Sequence, residues 1–219
     1  MLSEFILGNL LWSQGFTLLM FIIGAWILSF LIYRPISHFV LLFLIFCIWF
    51  FRNPQRICAE LQYDKSILVC PADGKVVDIQ FDDFGHGFKQ KVSIFLSLFD
   101  VHVQRMPCEG VVSHAVHQPG AFTFAFLPKS SLLNERNDLF IQSDRGNYIM
   151  IRQIAGTIAR RICCWVKAGD VVHVGDTFGM IRFGSRVEIF LPEDVTLHVG
   201  MGQRVFAGQT VLGHWAAPW

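Results

Sequence analysis

A small hydroxyl residue, Ser185, stands between a glycine and an arginine in the stretch FGSRV, which ends at Val187. The residues after it alternate as they do in β-structure, so the hydroxyl would stand at the start of a strand. Gly-Ser pairs also occur in many hairpin turns. The stretch alone therefore favours a turn, and the rest of the chain must show whether Ser185 takes part in chemistry.

An acid and an imidazole lie close together in the stretch FDVHVQ, residues 99–104. Strand alternation predicts that Asp100, His102 and Gln104 share one face. A carboxylate on that face can orient the imidazole or tune its pKa. The alternative is a solvent-exposed polar face, which the pattern alone favours.

Other polar residues have simpler interpretations when they are taken alone. Asp73 precedes a glycine in PADG, which is ordinary turn chemistry. The cluster NERN, residues 134–137, is typical of an exposed helix start. His114 and His117 lack a third ligand, so no metal site is predicted. Because no nucleotide-binding or metalloprotease motif occurs either, any cofactor must come from the chain itself.

The composition indicates a protein that meets lipid. Hydrophobic residues make up 53% of the 219 residues, which is above the roughly 45–50% of ordinary soluble domains. The formal net charge is +1, so the chain lacks the basic field of a nucleic-acid-binding protein, and we exclude nucleic acid as a partner. The six cysteines have no C-x-x-C spacing, and we expect reduced, mostly buried thiols.

The apolar residues are concentrated in residues 1–51, which we predict to be a membrane anchor of hydrophobic helices forming a hairpin. Residues 15 to 33 are uncharged and long enough to cross a hydrocarbon core of about 30 Å as a helix. Arg34 and Pro35 interrupt the run. The second apolar stretch, strongest over residues 40 to 51, is short for a full crossing, which leaves open whether it spans the membrane or re-enters.

The flanking residues indicate that the anchor is retained and suggest its orientation. No basic segment precedes the first apolar stretch and no small-residue cleavage site follows it, so a removed signal peptide is not expected. Arg52, Arg56 and Lys65 follow the second stretch. Positive residues favour the cytoplasmic side, so we expect a cell-membrane protein with the remainder of the chain on the cytoplasmic face.

Residues 52–219 form the second predicted domain, which is mainly β. The pattern V-x-x-G-x-x-V-x-x-G-[DQ]-T occurs at residues 166–177 and 199–210, and P-x-[DE]-G-x-V occurs at residues 71–76 and 107–112. Two copies are too few for a solenoid. They predict two related hairpin corners, like those of lipoyl/biotinyl domains, whose glycines need positive φ. The fold we expect is a small β-barrel or sandwich-like domain, with a helical or loop insertion over residues 128–138.

A group of ordered motifs resembles the short-form phosphatidylserine decarboxylases, a pyruvoyl-dependent family that includes archaetidylserine decarboxylases. The similarity extends from about Phe51 to Gly213, and an F-F-R-x-P junction at residues 50–54 is also similar. The motifs are PADGKV, FLSLFDVHVQRMP, GAFTFAF, NERN, QIAGTIARRI and MIRFGSRVEIFLP.

The resemblance implies that the chain is a proenzyme that cleaves itself between Gly184 and Ser185. In this family the serine hydroxyl attacks the preceding carbonyl, and an N-to-O acyl shift makes an ester. Elimination then releases the upstream chain, and the dehydroalanine left behind hydrolyses to a pyruvoyl group. That group condenses with the amine of a serine head group and acts as the electron sink when CO₂ leaves. The implied products are a large chain and a small chain.

The resemblance also assigns roles to individual residues. It implies that Asp73 and His102 activate Ser185 in the manner of a Ser-His-Asp triad. Many long-form members have a second histidine where this chain has Arg105, which leaves open whether His102 serves both self-cleavage and decarboxylation. Relatives often have proline at the position of Leu98.

Three arginines are candidates for binding the substrate. Arg182 and Arg186 flank the reactive serine and could engage a lipid phosphate or carboxylate as a fork. Surface charge on a hairpin is the alternative for each of them. Arg105 is a further candidate for the phosphate.

We therefore predict an enzyme that converts phosphatidylserine to phosphatidylethanolamine through a pyruvoyl group derived from Ser185. The partners are the membrane and its lipid substrate, and a homo-oligomer is left open. The alternative is a membrane-tethered lipoyl/biotinyl-like carrier or adaptor, with Lys167 as the modified lysine. That alternative leaves the motifs around Asp73, His102 and Ser185 unexplained.

Overall fold

A computed structural model describes residues 12–62, 64–121, 133–156, 162–182 and 185–216. The chain divides into two compact units, Met1–Gln55 and Arg56–Trp219. The division predicted from the sequence, between residues 51 and 52, lies close to this boundary.

The first unit contains an apolar pair of helices, α1 (Trp12–Ile32) and α2 (Arg34–Phe50). Tyr33 separates them in an extended conformation, and Pro35 lies in the first turn of α2, where a missing N–H costs nothing. Leu19 and Leu44 are among the residues that pack the helices together. The predicted hydrophobic hairpin is thus confirmed.

Only α1 contains a stretch, Gly15–Ile32, that is long and apolar enough to cross a membrane among the described residues. The second helix has 17 residues, which corresponds to about 26 Å at 1.5 Å per residue. This helix is therefore shorter than a hydrocarbon core of about 30 Å.

The second unit is mainly β, as the sequence predicts. Its described strands form three sheets, ordered β13-β2-β3-β11-β7-β6-β5-β9, β4-β10-β8 and β1-β14-β12. A short 3₁₀ helix, Ala59–Gln62, precedes them. The strands are β1 (Ile67–Val69), β2 (Gly74–Phe81), β3 (Gln90–Leu96), β4 (Val103–Arg105), β5 (Gly110–Gln118), β6 (Arg136–Ser143), β7 (Tyr148–Ala155), β8 (Ile162–Cys164), β9 (Val171–Val172), β10 (Thr177–Ile181), β11 (Ser185–Leu191), β12 (Val195–Leu197), β13 (Arg204–Val205) and β14 (Val211–Trp215).

The core lies between the large sheet and the two small sheets. Alternation along β11 directs Val187 and Ile189 into it. Phe178 of β10 and Leu212 of β14 belong to the same buried cluster. The small sheets therefore cover one face of the large sheet, which gives the sandwich-like arrangement expected.

The expected insertion over residues 128–138 is wrong in its last part, because β6 begins at Arg136. Asn137 and Asp138 are buried and bond to Gln153 and Arg152 of the neighbouring strand. Their polar groups are satisfied across the sheet, so the local polarity that favours a loop does not decide the structure. Residues 128–132 lie outside the described residues.

The two predicted hairpin corners are confirmed. In one corner Val205 pairs with Gly74, and in the other Val172 pairs with Gly110. The corner glycines have positive φ, as expected of residues that lack a Cβ; the angles are 92° at Gly169, 85° at Gly175, 79° at Gly202 and 70° at Gly208.

The corners belong to a larger repetition that divides the β domain into two halves. We call residues 103–181, which carry β4 to β10, the inner half. Residues 67–96 and 185–215, which carry β1 to β3 and β11 to β14, are the outer half. Each half contributes four neighbouring strands to the large sheet and one small sheet. The halves meet where Ile189 of β11 pairs with Ile151 of β7, so an approximate twofold axis passes between these strands.

Matching backbone hydrogen bonds support this relation. Gly208 N–H donates to the Cys70 carbonyl at 2.9 Å, and Gly175 N–H donates to the Met106 carbonyl at 2.8 Å. Each bond ties a corner to the residue before a P-x-[DE]-G motif. The repeated motifs in the sequence thus correspond to repeated contacts.

The inner half is inserted between β3 and β11 of the outer half. In the inner half the equivalent strands, β6 and β7, are closed by a tight turn in which Ser143 N–H donates to the Asn147 carbonyl at 2.8 Å. In the outer half no single turn joins β3 to β11. Residues 97–102 lead from β3 into the inner half, and residues 182–184 lead from the inner half back to β11. Ser185 is the first residue after the second connection.

The cysteines are free, as expected from their spacing. Five of the six are buried, and Cys164 is half-buried. Burial raises the pKa of the Cys70 thiol and raises that of Cys108 to about 12. Both thiols are therefore protonated and unreactive near neutral pH.

Candidate active site

Ser185 opens β11, which lies in the middle of the large sheet. It pairs with Leu96 of β3 and with Ala155 of β7. The residue is fully buried, and its Oγ has no hydrogen-bond partner among the described residues. Gly184, the predicted residue on the other side of the cleaved bond, lies outside the described residues.

His102 lies beside the connection that leads to Ser185. Val103 of β4 pairs with Met180 of β10, so His102, one residue earlier, lies beside the end of β10 at Ile181. Residues 182–184 join that end to Ser185. Four residue steps span at most about 14 Å, so the register brings the predicted serine and histidine to the same corner of the domain.

The His102 ring has a defined tautomer when it is neutral. The residue is fully buried, and its Nδ1 lies 2.9 Å from the Asp100 carbonyl oxygen. A carbonyl oxygen only accepts, so Nδ1 carries the proton and Nε2 holds the lone pair. Nε2 is therefore the nitrogen that can accept a proton.

Asp100 supports this arrangement from a turn and not from a strand. Its Oδ2 accepts from the Ser97 backbone N–H at 2.8 Å and from the Ser97 hydroxyl at 2.7 Å, and Arg204 contacts its Oδ1. The expected common strand face for Asp100, His102 and Gln104 is wrong, because β4 begins only at Val103. The carboxylate closes the turn, and the carbonyl of the same residue orients the imidazole.

A chain of buried amides holds the backbone of His102. Gln104 donates to the His102 carbonyl at 3.0 Å, Gln153 donates to Gln104 at 2.8 Å, and Asn137 donates to Gln153 at 2.9 Å. All three amide side chains are buried. Buried networks whose members are satisfied rigidify their surroundings. Sequence reasoning missed this link between the histidine motif and the motifs NERN and QIAGTIARRI.

Asn134 connects the NERN motif to the residue that pairs with Ser185. It is fully buried, and its Nδ2 donates at 2.7 Å to the carbonyl of Ala155, the residue that pairs with Ser185. The interpretation of NERN as an exposed helix start is therefore wrong. Its asparagines are interior because they bond to a neighbouring strand.

Asp73 lies directly before Gly74 of β2, at the end of the large sheet where Ser185 also lies. Arg56 holds both carboxylate oxygens, with Nη2 at 2.7 Å from Oδ2 and Nη1 against Oδ1. The Ala207 N–H donates to Oδ1 at 2.8 Å. These contacts place Asp73 in a buried ion pair, and its role in orienting His102 stays a prediction. Sequence reasoning used Arg56 only as a positive residue after the apolar segments and missed its pairing with Asp73.

The three predicted substrate-binding arginines have different surroundings. Arg105 donates to the Gly175 carbonyl at 2.8 Å, and burial, followed by the charge of Arg56, lowers its pKa. Arg182 is half-buried at the end of β10. Roles for both in substrate binding stay predictions.

Arg186 is not a surface charge. It is buried, with its guanidinium 3.1 Å from a Glu188 carboxylate oxygen and 2.9 Å from the Ser93 hydroxyl. The interpretation of Arg186 as hairpin surface charge is therefore wrong. Alternation places Arg186 on the face of β11 opposite Ser185, and a role in lipid binding stays a prediction.

Comparison of the chain with known proteins shows the class of protein to which it belongs. The phosphatidylserine decarboxylase family model matches residues 43–213. The phosphatidylserine decarboxylase proenzyme of Syntrophus aciditrophicus (strain SB) is 47% identical to this chain over 173 residues, which cover 77% of this chain and 79% of the relative. The class of protein is therefore an enzyme, a decarboxylase. Within that class, the chain belongs to the phosphatidylserine decarboxylase family.

Proposed function

We propose that the chain is a proenzyme that cleaves its own Gly184–Ser185 bond and then decarboxylates phosphatidylserine to phosphatidylethanolamine. The family supports the reaction, and one structural observation supports the site. The Ser185 hydroxyl is buried without a partner among the described residues, at the point where the outer half opens beside His102.

The unpartnered hydroxyl has an energetic cost that favours a chemical role. A buried polar group without a hydrogen bond typically costs about 1–3 kcal/mol. Such groups are uncommon in folded proteins, and catalytic positions are one reason for them. Ser143 Oγ is buried and unpartnered in the same way among the described residues, but Ser143 closes a hairpin turn through its bond to Asn147. The two serines therefore form a matched pair for experiment.

Self-cleavage needs a base for the Ser185 proton, and His102 supplies it in this proposal. Nε2 takes the proton from Oγ as the oxygen attacks the Gly184 carbonyl carbon. The proton then goes to the Ser185 nitrogen, which leaves as the amine when the ester forms. The Asp100 carbonyl and the Gln104 amide keep the ring and its backbone in place.

The surroundings of position 185 fit a pyruvoyl group made from that serine. The position is fully buried, and the two neighbouring strands hold the backbone that would carry the group. The pyruvoyl carbonyl supplies an electron sink for the loss of CO₂ from a serine head group. Arg105 and Arg182 are the residues we propose for the phosphate and the carboxylate of the lipid, since guanidinium groups bind both well.

We further propose that α1 anchors the protein in the cell membrane with the decarboxylase domain on the cytoplasmic face. The apolar stretch Gly15–Ile32 supports the anchor. The expected cytoplasmic orientation of the domain derives from positive residues that follow the apolar segments. Of these, Arg52 lies over the Trp49 ring at 3.6 Å, and Arg56 is buried against Asp73, so its charge is paired within the domain. An enzyme held at the bilayer surface can receive a diacyl lipid without extracting it into water.

The carrier interpretation is not supported. Lys167 is an exposed corner residue whose N–H bonds to Asp170 at 2.9 Å, and the family membership accounts for the motifs that a carrier leaves unexplained.

An intact-mass spectrum of the purified protein tests the proposal. We expect a large chain ending at Gly184 and a small chain from position 185 to Trp219 whose N-terminus is a pyruvoyl group. Ser185→Ala should abolish cleavage and activity, because alanine has no hydroxyl to attack or to eliminate. Ser185→Cys should cleave slowly through a thioester. The control Ser143→Ala should cleave normally.

Two results would contradict the proposal. One is a single intact chain in active wild-type material. The other is a free serine amine on the small chain, which would mean that cleavage occurs without formation of the pyruvoyl group.

A further inference from the structure

A patch of exposed apolar and basic side chains lies beside the proposed active site. We call it the entrance rim and define it as Phe99, Met201, Arg204, Phe206 and Lys75. Phe99 is 69% exposed, Met201 65% and Phe206 41%. The Arg204 side chain is 60% exposed. Large apolar side chains grouped at this exposure commonly mark an interaction surface.

Direct contacts connect the entrance rim to the site. Arg204 contacts the Oδ1 atom of Asp100, the residue that orients His102. Phe99 is the residue before Asp100, in the connection between β3 and β4. The rim therefore includes the outer surface of the segment that positions the proposed base.

The remaining rim residues continue this surface along the edge of the large sheet. The Arg204 guanidinium lies 6.0 Å from the Phe206 ring centroid. Lys75 is exposed and pairs with Arg204 across β2 and β13. A Cβ placed on Gly202, next to Met201, would lie 3.8 Å from Lys75 Cε. Contacts, strand pairing or chain neighbours thus connect the five residues.

The equivalent corner of the inner half shows that the fold does not require these residues. The sequence repeat aligns Met201, Arg204 and Phe206 with Ala168, Val171 and His173. Both corners have two glycines with positive φ at matching positions. At these three positions the aromatic ring, the methionine and the arginine occur in the corner that contacts the Asp100 segment, whereas the other corner has an exposed Val171 and an exposed Lys167.

We propose that the entrance rim docks on the surface of an anionic phospholipid bilayer. Large apolar side chains such as phenylalanine insert at the boundary between head groups and acyl chains, and basic side chains are attracted to anionic head groups. A serine phospholipid carries a net negative charge, which complements the exposed Lys75, whereas the charge of Arg204 is paired with Asp100. The rim and the α1 anchor would then act together, as two membrane contacts bind more firmly than one.

Photocrosslinking of the full-length chain in vesicles tests this inference, which rests on the proposed function for the site beside the rim. Benzoylphenylalanine replaces Phe99, Phe206 or Phe81, one at a time. Phe81 is the matched control, because it is 72% exposed at the opposite end of β2. The vesicles contain phosphatidylcholine and phosphatidylglycerol, neither of which carries a serine head group. Each variant is made in the wild-type and the Ser185→Ala backgrounds, and only variants with the parent thermal midpoint are used.

We expect roughly tenfold more lipid adduct at positions 99 and 206 than at 81, as interfacial insertion of the rim requires. Lys75→Glu should lower the adduct at position 99 in vesicles with phosphatidylglycerol but not in pure phosphatidylcholine. Equal adduct at all three positions would overturn the inference, and so would adduct to a second copy of the protein in place of lipid. The readout does not need cleavage, so failure of the proposed function leaves this result interpretable.

Discussion

His102 and Arg105 lie at either end of the short strand β4 and are the two candidates for the base of self-cleavage. His102→Ala should accumulate the uncleaved chain, because the lone pair on Nε2 is lost. Arg105→Ala should still cleave. Burial lowers the pKa of Arg105, but an arginine stays protonated at any working pH and is a poor base. Cleavage followed over time on a denaturing gel checks both variants.

The opposite pattern would reassign the base. Normal cleavage in His102→Ala together with a block in Arg105→Ala would exclude the role proposed for His102. The search would then turn to His114, His117 and His198. Gln104→Ala is a useful intermediate variant, since it leaves the imidazole in place but removes the amide that holds the His102 carbonyl.

Removing one partner of the Arg56–Asp73 pair should lower the stability of the protein. The two side chains are only 8% and 5% exposed. Breaking a buried pair by removing one partner typically costs about 3–5 kcal/mol, because the other charge remains buried. Arg56→Met should therefore lower the free energy of unfolding by that amount, measured by denaturant titration in detergent.

A double mutant and an exposed pair provide the controls. Arg56→Met combined with Asp73→Asn should cost less than the sum of the single changes, since no unpaired charge remains. Lys89→Met breaks the exposed pair with Asp83 and should leave the midpoint unchanged within error. Additive losses in the double mutant would show that the two residues do not act as a pair.

At the scale of elements, the position of β11 predicts that the two cleavage products stay together. The strand pairs with β3 at seven positions and with β7 at six. The small chain would begin with this strand and continue through β12 to β14, and β14 also pairs with β1 of the large chain. Cleavage changes only the first residue of the strand and leaves the pairing of residues 186–191 in place.

Size-exclusion chromatography in mild detergent checks this prediction. The cleaved enzyme and the uncleaved Ser185→Ala variant should elute at the same volume, and the two chains should separate only on a denaturing gel. A small chain that elutes alone without denaturant would mean that β11 is not held as the structure describes.

At the scale of the whole molecule, the two compact units should separate in function. Removal of residues 1–51 should release the protein from its need for detergent, with cleavage retained, because Arg56 remains to hold Asp73. Removal of residues 1–56 should impair cleavage, since Arg56 is lost with the anchor. Membrane fractionation and a cleavage gel measure the two effects. Undiminished, salt-resistant membrane binding after the shorter truncation would place the anchor elsewhere.

Local patterns in the sequence determined the parts of this protein that depend on neighbouring residues. The uncharged stretch before Arg34 predicts a membrane-length helix, because length and polarity decide whether a segment can cross a bilayer. The V-x-x-G repeats predict corners with positive φ at glycines such as Gly169 and Gly202, because only glycine adopts that conformation without cost. The motif around Ser185 indicates the family because the resemblance depends only on the order of residues along the chain.

Only the tertiary structure decided which distant residues meet. Arg204 contacts Asp100 from 104 positions away, and Ala207 donates to Asp73 from 134 positions away. These contacts follow from strand register and from the insertion of one half of the domain into the other, and no local pattern specifies either. A polar residue such as Asn134 therefore has the sequence signature of an exposed helix start, yet it is buried because its partner lies on another strand.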